Sequence, residues 1–118
     1  MFYDLLKNHQ YQIAIGSWFA DICDPISFLD VFKYKNNGTN HTQWECPAYV
    51  QLLDLSSQTS DPKQREEFLA EAERVLIEEM PIAPLFYNAY NSVNQPQLKN
   101  VYFSELGYID FKKAYIEK

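Results

Sequence analysis

The sequence predicts an α/β fold, a mixed sheet flanked by helices and followed by a tail of short strands. Three observations predict it: one long amphipathic helix near residues 61–80, short β-branched or aromatic runs on either side, and alternating aromatic and turn residues from 101 onward. At 118 residues the chain has the size of one domain, and a fold of that size buries roughly two-thirds of its unfolded surface.

Phe2 to Leu6 reads as the last turns of a helix, ended by the polar Lys7-Asn8-His9-Gln10. Tyr11-Gln12-Ile13-Ala14-Ile15 has the alternation of a strand, and Gly16 to Asp21 is an aromatic strand end entering a loop. Asp24-Pro25 supplies an N-cap and a first-turn proline, which predicts a helix over Pro25 to Phe32. Asn36 to Thr42 is a polar loop whose two glycosylation-type triplets, Asn37-Gly38-Thr39 and Asn40-His41-Thr42, carry no meaning in a bacterial protein. Pro47 to Leu55 is apolar at Tyr49, Val50, Leu52, Leu53 and Leu55, and Ser56 to Ser60 reads as a break.

Asp61-Pro62-Lys63-Gln64 then combines an N-cap, a first-turn proline and a capping-box glutamine. Phe68, Leu69, Ala72, Val75, Leu76 and Met80 follow at helical spacing, opposite a face of Glu66, Glu67, Glu71, Glu73, Arg74 and Glu78. Pro81 ends this helix. Ile82 to Tyr87 reads as a short buried strand, with another over Tyr90 to Val93. The tail offers Val101-Tyr102-Phe103, Gly107 to Phe111 and Ala114-Tyr115-Ile116, strands too short to stand without a sheet to join.

Sixteen acidic against ten basic residues give a formal charge of -6, and no basic cluster tracks a phosphate backbone, so nucleic acid is not expected as a partner. The acidity favours cationic or amine-bearing ligands. No apolar run approaches the roughly 20 residues that span a bilayer, and Met1-Phe2-Tyr3-Asp4 lacks the basic and apolar regions of a signal peptide, so no export signal is expected in the chain as written. Aromatic residues make up 16% of the chain, a share that fits a binding surface, an absent partner lobe or an aromatic-rich core equally well. Asp21 with Asp24, or Cys46 with His41, could serve an acid-base or nucleophilic reaction. Neither pair sits in a catalytic motif, and an enzyme is not expected. Asp21, Cys23, Asp24, His41 and Cys46 lack the paired short spacings of a metal site, so no metal is expected either.

Several segments recur together in one order. Trp18-Phe19-Ala20-Asp21 is followed by Asp24-Pro25 and Phe28-Leu29, then by a polar loop ending in Trp44 and Pro47-x-Tyr49. Asp61 to Met80 comes next with Arg65 and Ala72-Glu73, then Pro81-Ile82-Ala83-Pro84-Leu85-Phe86-Tyr87, then Gly107-Tyr108-Ile109-Asp110-Phe111. Over nearly the whole chain this ordered set resembles the carboxy-terminal segment of the oligopeptide- and dipeptide-binding proteins of bacterial ABC importers, solute-binding protein family 5. The resemblance implies a partial lobe of a periplasmic-binding-protein-like type II fold. Residues 1–94 would form part of one ligand-binding lobe, and 95–118 a tail that returns to the other. It further implies an extracytoplasmic location in the periplasm or cell envelope, short peptides as ligands, membrane permease subunits as partners, and no cofactor.

What the resemblance implies at the W-x-x-D position falls on Asp21, whose carboxylate would accept hydrogen bonds from a peptide's α-ammonium beside an aromatic wall. Trp18, Phe19 and Ala20 would supply that wall and the backbone next to it, and Tyr87 is a weaker ligand candidate. A turn-capping role competes for Asp21, although Asp24 before Pro25 fills it better; a plain core role competes for Trp18. Ile13 and Ile15 are apolar where some oligopeptide binders carry basic residues for the peptide carboxylate, a departure that leaves carboxylate recognition open here. Cys23 and Cys46 flank one short helix, and in an oxidising compartment a disulfide between them is plausible, the alternative being two free thiols. The competing reading of the whole chain is a truncated fragment acting only as a structural or self-associating module, a homo-oligomer formed through exposed aromatic surface.

Overall fold

The computed structural model describes residues 2–117. Helix α1 spans Phe2–Lys7, as its sequence predicts, and stops before His9, which takes a positive φ of 52°. Helix α2 spans Ile26–Leu29 and tightens into a 3₁₀ turn at Asp30–Phe32. Helix α3 spans Pro47–Gln58 and helix α4 Pro62–Glu79. Four two-residue strands follow: β1 Leu98–Lys99, β2 Tyr102–Phe103, β3 Ile109–Asp110 and β4 Tyr115–Ile116.

The serine-rich break expected at Ser56 is helical instead. Ser56 is buried and its hydroxyl donates to Leu53 O at 2.8 Å, so the helix backbone satisfies the group that would otherwise favour a turn. The Asp61 side chain accepts from the Lys63 amide at 3.0 Å, with Pro62 in the first turn. The capping box does not close: Gln64 Oε1 accepts from Thr59 Oγ1 at 2.8 Å, because the preceding loop offers a nearer donor. At the other end Met80 caps α4 in the left-handed region at φ 53°, immediately before Pro81.

The core lies where α3 and α4 pack on each other and α2 lies on α4. Leu29, Tyr49, Leu53, Leu69, Ala72 and Leu76 are buried there, with Ile26, Phe32, Trp44, Cys46, Leu52, Val75 and Ile82 packed around them. Each fully buried leucine contributes ~1.5–3 kcal/mol relative to exposure, and these few side chains carry most of the cohesion. Tyr49 also anchors α2: its hydroxyl donates to Leu29 O at 2.7 Å inside the core.

Outside this hub the sheet component is small. Among the described residues β1 pairs antiparallel with β4, and β2 with β3, in two separate ladders. The strands expected at Tyr11–Ile15, Ile82–Tyr87 and Tyr90–Val93 are not formed: none of them is paired, and Gln12, Ile13 and Ile82 lie in bends. Ile13 is 90% exposed, and Tyr87 and Val93 are fully exposed, so the buried strand expected at Ile82–Tyr87 is not formed. β-propensity reflects fit to a neighbouring pleated surface, and none of the described residues supplies one here. The Cα radius of gyration is accordingly 18.7 Å, against about 13–14 Å for a compact chain of this length.

One contact ties the irregular segments together. The rings of Phe19 and Tyr90 lie 5.8 Å apart, tilted by 30°. Tyr90 in turn lies over Gly107 in the β2–β3 turn, where φ is +83° and an added Cβ would fall 2.7 Å from the Tyr90 ring.

Candidate functional site

Ser27, in the first turn of α2, holds the residues before it in place. The Trp18 Nε1–H donates to Ser27 O at 2.8 Å, and the Asp21 backbone N–H donates to Ser27 Oγ at 2.8 Å. The helix has its own anchor. Asp24 Oδ1 accepts from the Ile26 amide at 2.9 Å and from Arg65 Nη2 at 2.9 Å, so a side chain of α4 grips the turn that starts α2. The Arg65 hydrogen bond is the main cause that holds the Asp24 carboxyl below its ordinary range; burial opposes it and the Ile26 amide adds to it.

Asp24 is thus committed to capping, as its position before Pro25 predicts, while Asp21 is not. The Asp21 side chain is exposed and makes no hydrogen bond or ion pair among the described residues. With Trp18, Ile22, Ile26, Ser27, Asp30 and Val31 it lines an open depression of about 440 Å³, closed on one side by Asn37 and Thr39. Half-exposed Trp18 offers its ring to that space while its indole N–H is satisfied from behind.

The wall formed by the 36–46 loop is held by Asn40, which is only 2% exposed. Its Nδ2 donates to Tyr34 O at 3.1 Å and Trp44 O at 3.0 Å, and its Oδ1 accepts from Thr42 N at 3.1 Å and Thr42 Oγ1 at 2.8 Å. Asn37 acts similarly on a smaller scale, accepting from Thr39 N and Oγ1. Both asparagines that looked like glycosylation acceptors therefore organise the loop. Lys33 closes the far side of the same region on Asp54 at 2.8 Å, and that contact raises the lysine's proton affinity.

The expected site residues separate. Trp18 and Asp21 line the depression together, whereas Phe19 turns to Tyr90, Ala20 is half-buried between them, and Tyr87 stands outside it in solvent. The disulfide weighed for Cys23 and Cys46 is not formed: both thiols are free, Cys23 exposed and Cys46 packed against the core. Sequence reasoning missed Ser27 and Asn40 as positioning residues, and it met Arg65 only as part of a pattern. Among the described residues no His, Cys, Asp and Glu group could hold a metal ion, and no helix is long and apolar enough to cross a membrane.

Comparisons with known proteins identify the class. The chain is 38% identical over 117 residues to the oligopeptide-binding protein OppA of Bacillus subtilis, and 38% identical over 109 residues to the dipeptide-binding protein DppE of the same organism. These matches cover 99% and 92% of this chain but 22% and 20% of the relatives, so the chain spans about a fifth of their length. A solved structure of the pheromone receptor PrgZ, described by its mode of peptide binding, superposes with a TM-score of 0.79 at 32% identity, covering 99% of this chain and 22% of that one. No family model matches. The chain is homologous to the carboxy-terminal segment of the oligopeptide- and dipeptide-binding proteins, and its fold is a partial lobe of theirs. These relatives are transport binding proteins, not enzymes.

Proposed function

We propose that the chain is the part of an extracytoplasmic peptide-binding protein that takes hold of a ligand's amino terminus, on behalf of the membrane permease subunits of an ABC importer. The observation that carries this reading is the Asp21 carboxylate: exposed, without a partner among the described residues, beside the Trp18 ring, on a backbone pinned to Ser27. An α-ammonium has a positive charge and three donors to offer it. A charge-assisted hydrogen bond is worth ~1.5–3 kcal/mol once water is excluded, and less in an open depression. Such a grip fixes register without reading a side chain.

The backbone over 16–20, which belongs to no helix or strand, would add main-chain hydrogen bonds to an extended ligand by strand addition. Support for peptides as the ligand class comes from the relatives' names, and two others, from Escherichia coli and Salmonella typhimurium, are named as periplasmic. On this reading residues 1–94 belong to one lobe and 95–118 return to the other. Closure and dehydration would come from the surface that this chain does not carry, so the chain by itself binds weakly.

The test is calorimetric titration of short free-amine peptides and their N-acetylated counterparts. The subjects are the chain itself and a chimera in which it replaces the matching 117 residues of the Bacillus subtilis oligopeptide-binding protein. The free amine is expected to bind at least about tenfold more tightly, and Asp21→Asn to remove that preference. Equal binding of acetylated peptides by the chimera would show that Asp21 plays no such role.

A further inference from the structure

We infer that Ser27 is the positioning residue of this site: its hydroxyl fixes the Asp21 backbone while its carbonyl fixes the Trp18 indole, so one residue sets the spacing between carboxylate and aromatic wall. The inference rests on the reading of Asp21 given above. Trp18 and Asp21 lie in a segment outside any helix or strand, where neither residue would keep a fixed place without such ties. Two bonds of 2.8 Å remove that freedom, and both end on Ser27.

Ser27 is itself held. Its amide donates to Asp24 O at 3.0 Å, and Asp24 is locked by Arg65 from α4. A continuous line of bonds therefore runs from the core helix through Arg65, Asp24 and Ser27 to the two residues facing the depression. Its last link depends on chemistry that only a hydroxyl at 27 supplies, because an alanine retains the carbonyl for Trp18 but offers the Asp21 amide no acceptor. The ammonium grip needs the carboxylate at one place relative to the indole, since a charge-assisted bond loses strength steeply with poor distance and angle.

The experiment uses Ser27→Ala and Ser27→Thr, the second of which restores a hydroxyl at the same place. In the 118-residue chain, Asp21 amide hydrogen exchange is measured by NMR. It should be slow relative to other exposed loop amides in the wild type and in Ser27→Thr, and fast in Ser27→Ala, with the Trp18 indole N–H protected in all three. In the chimera, Ser27→Ala should lower the free-amine over N-acetyl preference by about tenfold while leaving binding of the acetylated peptide unchanged, and Ser27→Thr should recover it. A wild-type Asp21 amide that exchanges as fast as an unbonded loop amide would overturn the inference. So would a Ser27→Ala chimera that keeps the full amine preference while Asp21→Asn abolishes it. If Asp21→Asn itself leaves the preference intact, the fault lies with the Asp21 reading, and the exchange measurement still decides whether Ser27 holds that backbone.

Discussion

Replacing Asn40 by alanine removes the most buried side chain of the 36–46 loop and the four hydrogen bonds that it makes there. Three part-buried backbone groups lose their partner: the carbonyls of Tyr34 and Trp44 and the amide of Thr42, while the Thr42 hydroxyl can rotate to another acceptor. A net bond is worth ~0.5–1.5 kcal/mol, and a buried group left unsatisfied costs ~1–3 kcal/mol. Asn40 is only 2% exposed, yet the smaller alanine admits some water, so the loss should centre on about 3 kcal/mol. Urea unfolding followed by Trp44 fluorescence measures it; with a slope of ~1–2 kcal/mol per molar, the midpoint should fall by about 1.5–3 M at unchanged slope. Asn40→Asp sharpens the test, since it keeps the acceptor for Thr42 but turns a carboxylate toward two carbonyls. It should be at least as damaging at neutral pH. A loss below about 0.5 kcal/mol for the alanine variant, or wild-type stability for the aspartate, would refute the hydrogen-bond account of the loop.

Two further outcomes follow from the same frame. Tyr49→Phe leaves Leu29 O without its 2.7 Å donor in a site closed to water, and should cost about 1–2 kcal/mol in the same unfolding measurement. The Asp24 carboxyl is held below its ordinary value of 3.8, so its contribution is present above that pH and is lost as pH falls through the folded value. The midpoint of Asp24→Asn should therefore lie below wild type by a constant amount between about pH 5 and 8, and the gap should close in acid below that window.

The helices α2 and α4 were legible because their signals are local, whereas Pro47 to Leu55 showed its apolar positions without declaring a helix. Asp61-Pro62 and Pro81 bracket α4, and the stripe of Leu69, Ala72 and Leu76 names the buried face. Ser56 misled because a buried serine that bonds its own helix looks, in sequence, like one that ends it. The strand-like sequences at Tyr11–Ile15 and Ile82–Tyr87 misled for the opposite reason. A β-branched pattern records a preference for a neighbour, and only the three-dimensional arrangement says whether the neighbour is in the same chain. Trp18 and Asp21 were paired by the family resemblance at the W-x-x-D position. Ser27 could not be found in this way, since a hydroxyl accepting from an amide six positions back leaves no periodic trace. Asn40 stood out only as part of a triplet set aside as meaningless, and the fold uses its amide internally.

Gly107 shows how far the tail reaches. The absent side chain leaves a seat that Tyr90 occupies, and Tyr90 braces Phe19, the covalent neighbour of Trp18. Any larger residue at 107 would unseat that ring as well as strain its own backbone at φ +83°. The β2–β3 hairpin thus reaches back through Tyr90 to the segment that carries Trp18 and Asp21, from more than eighty positions downstream in the chain.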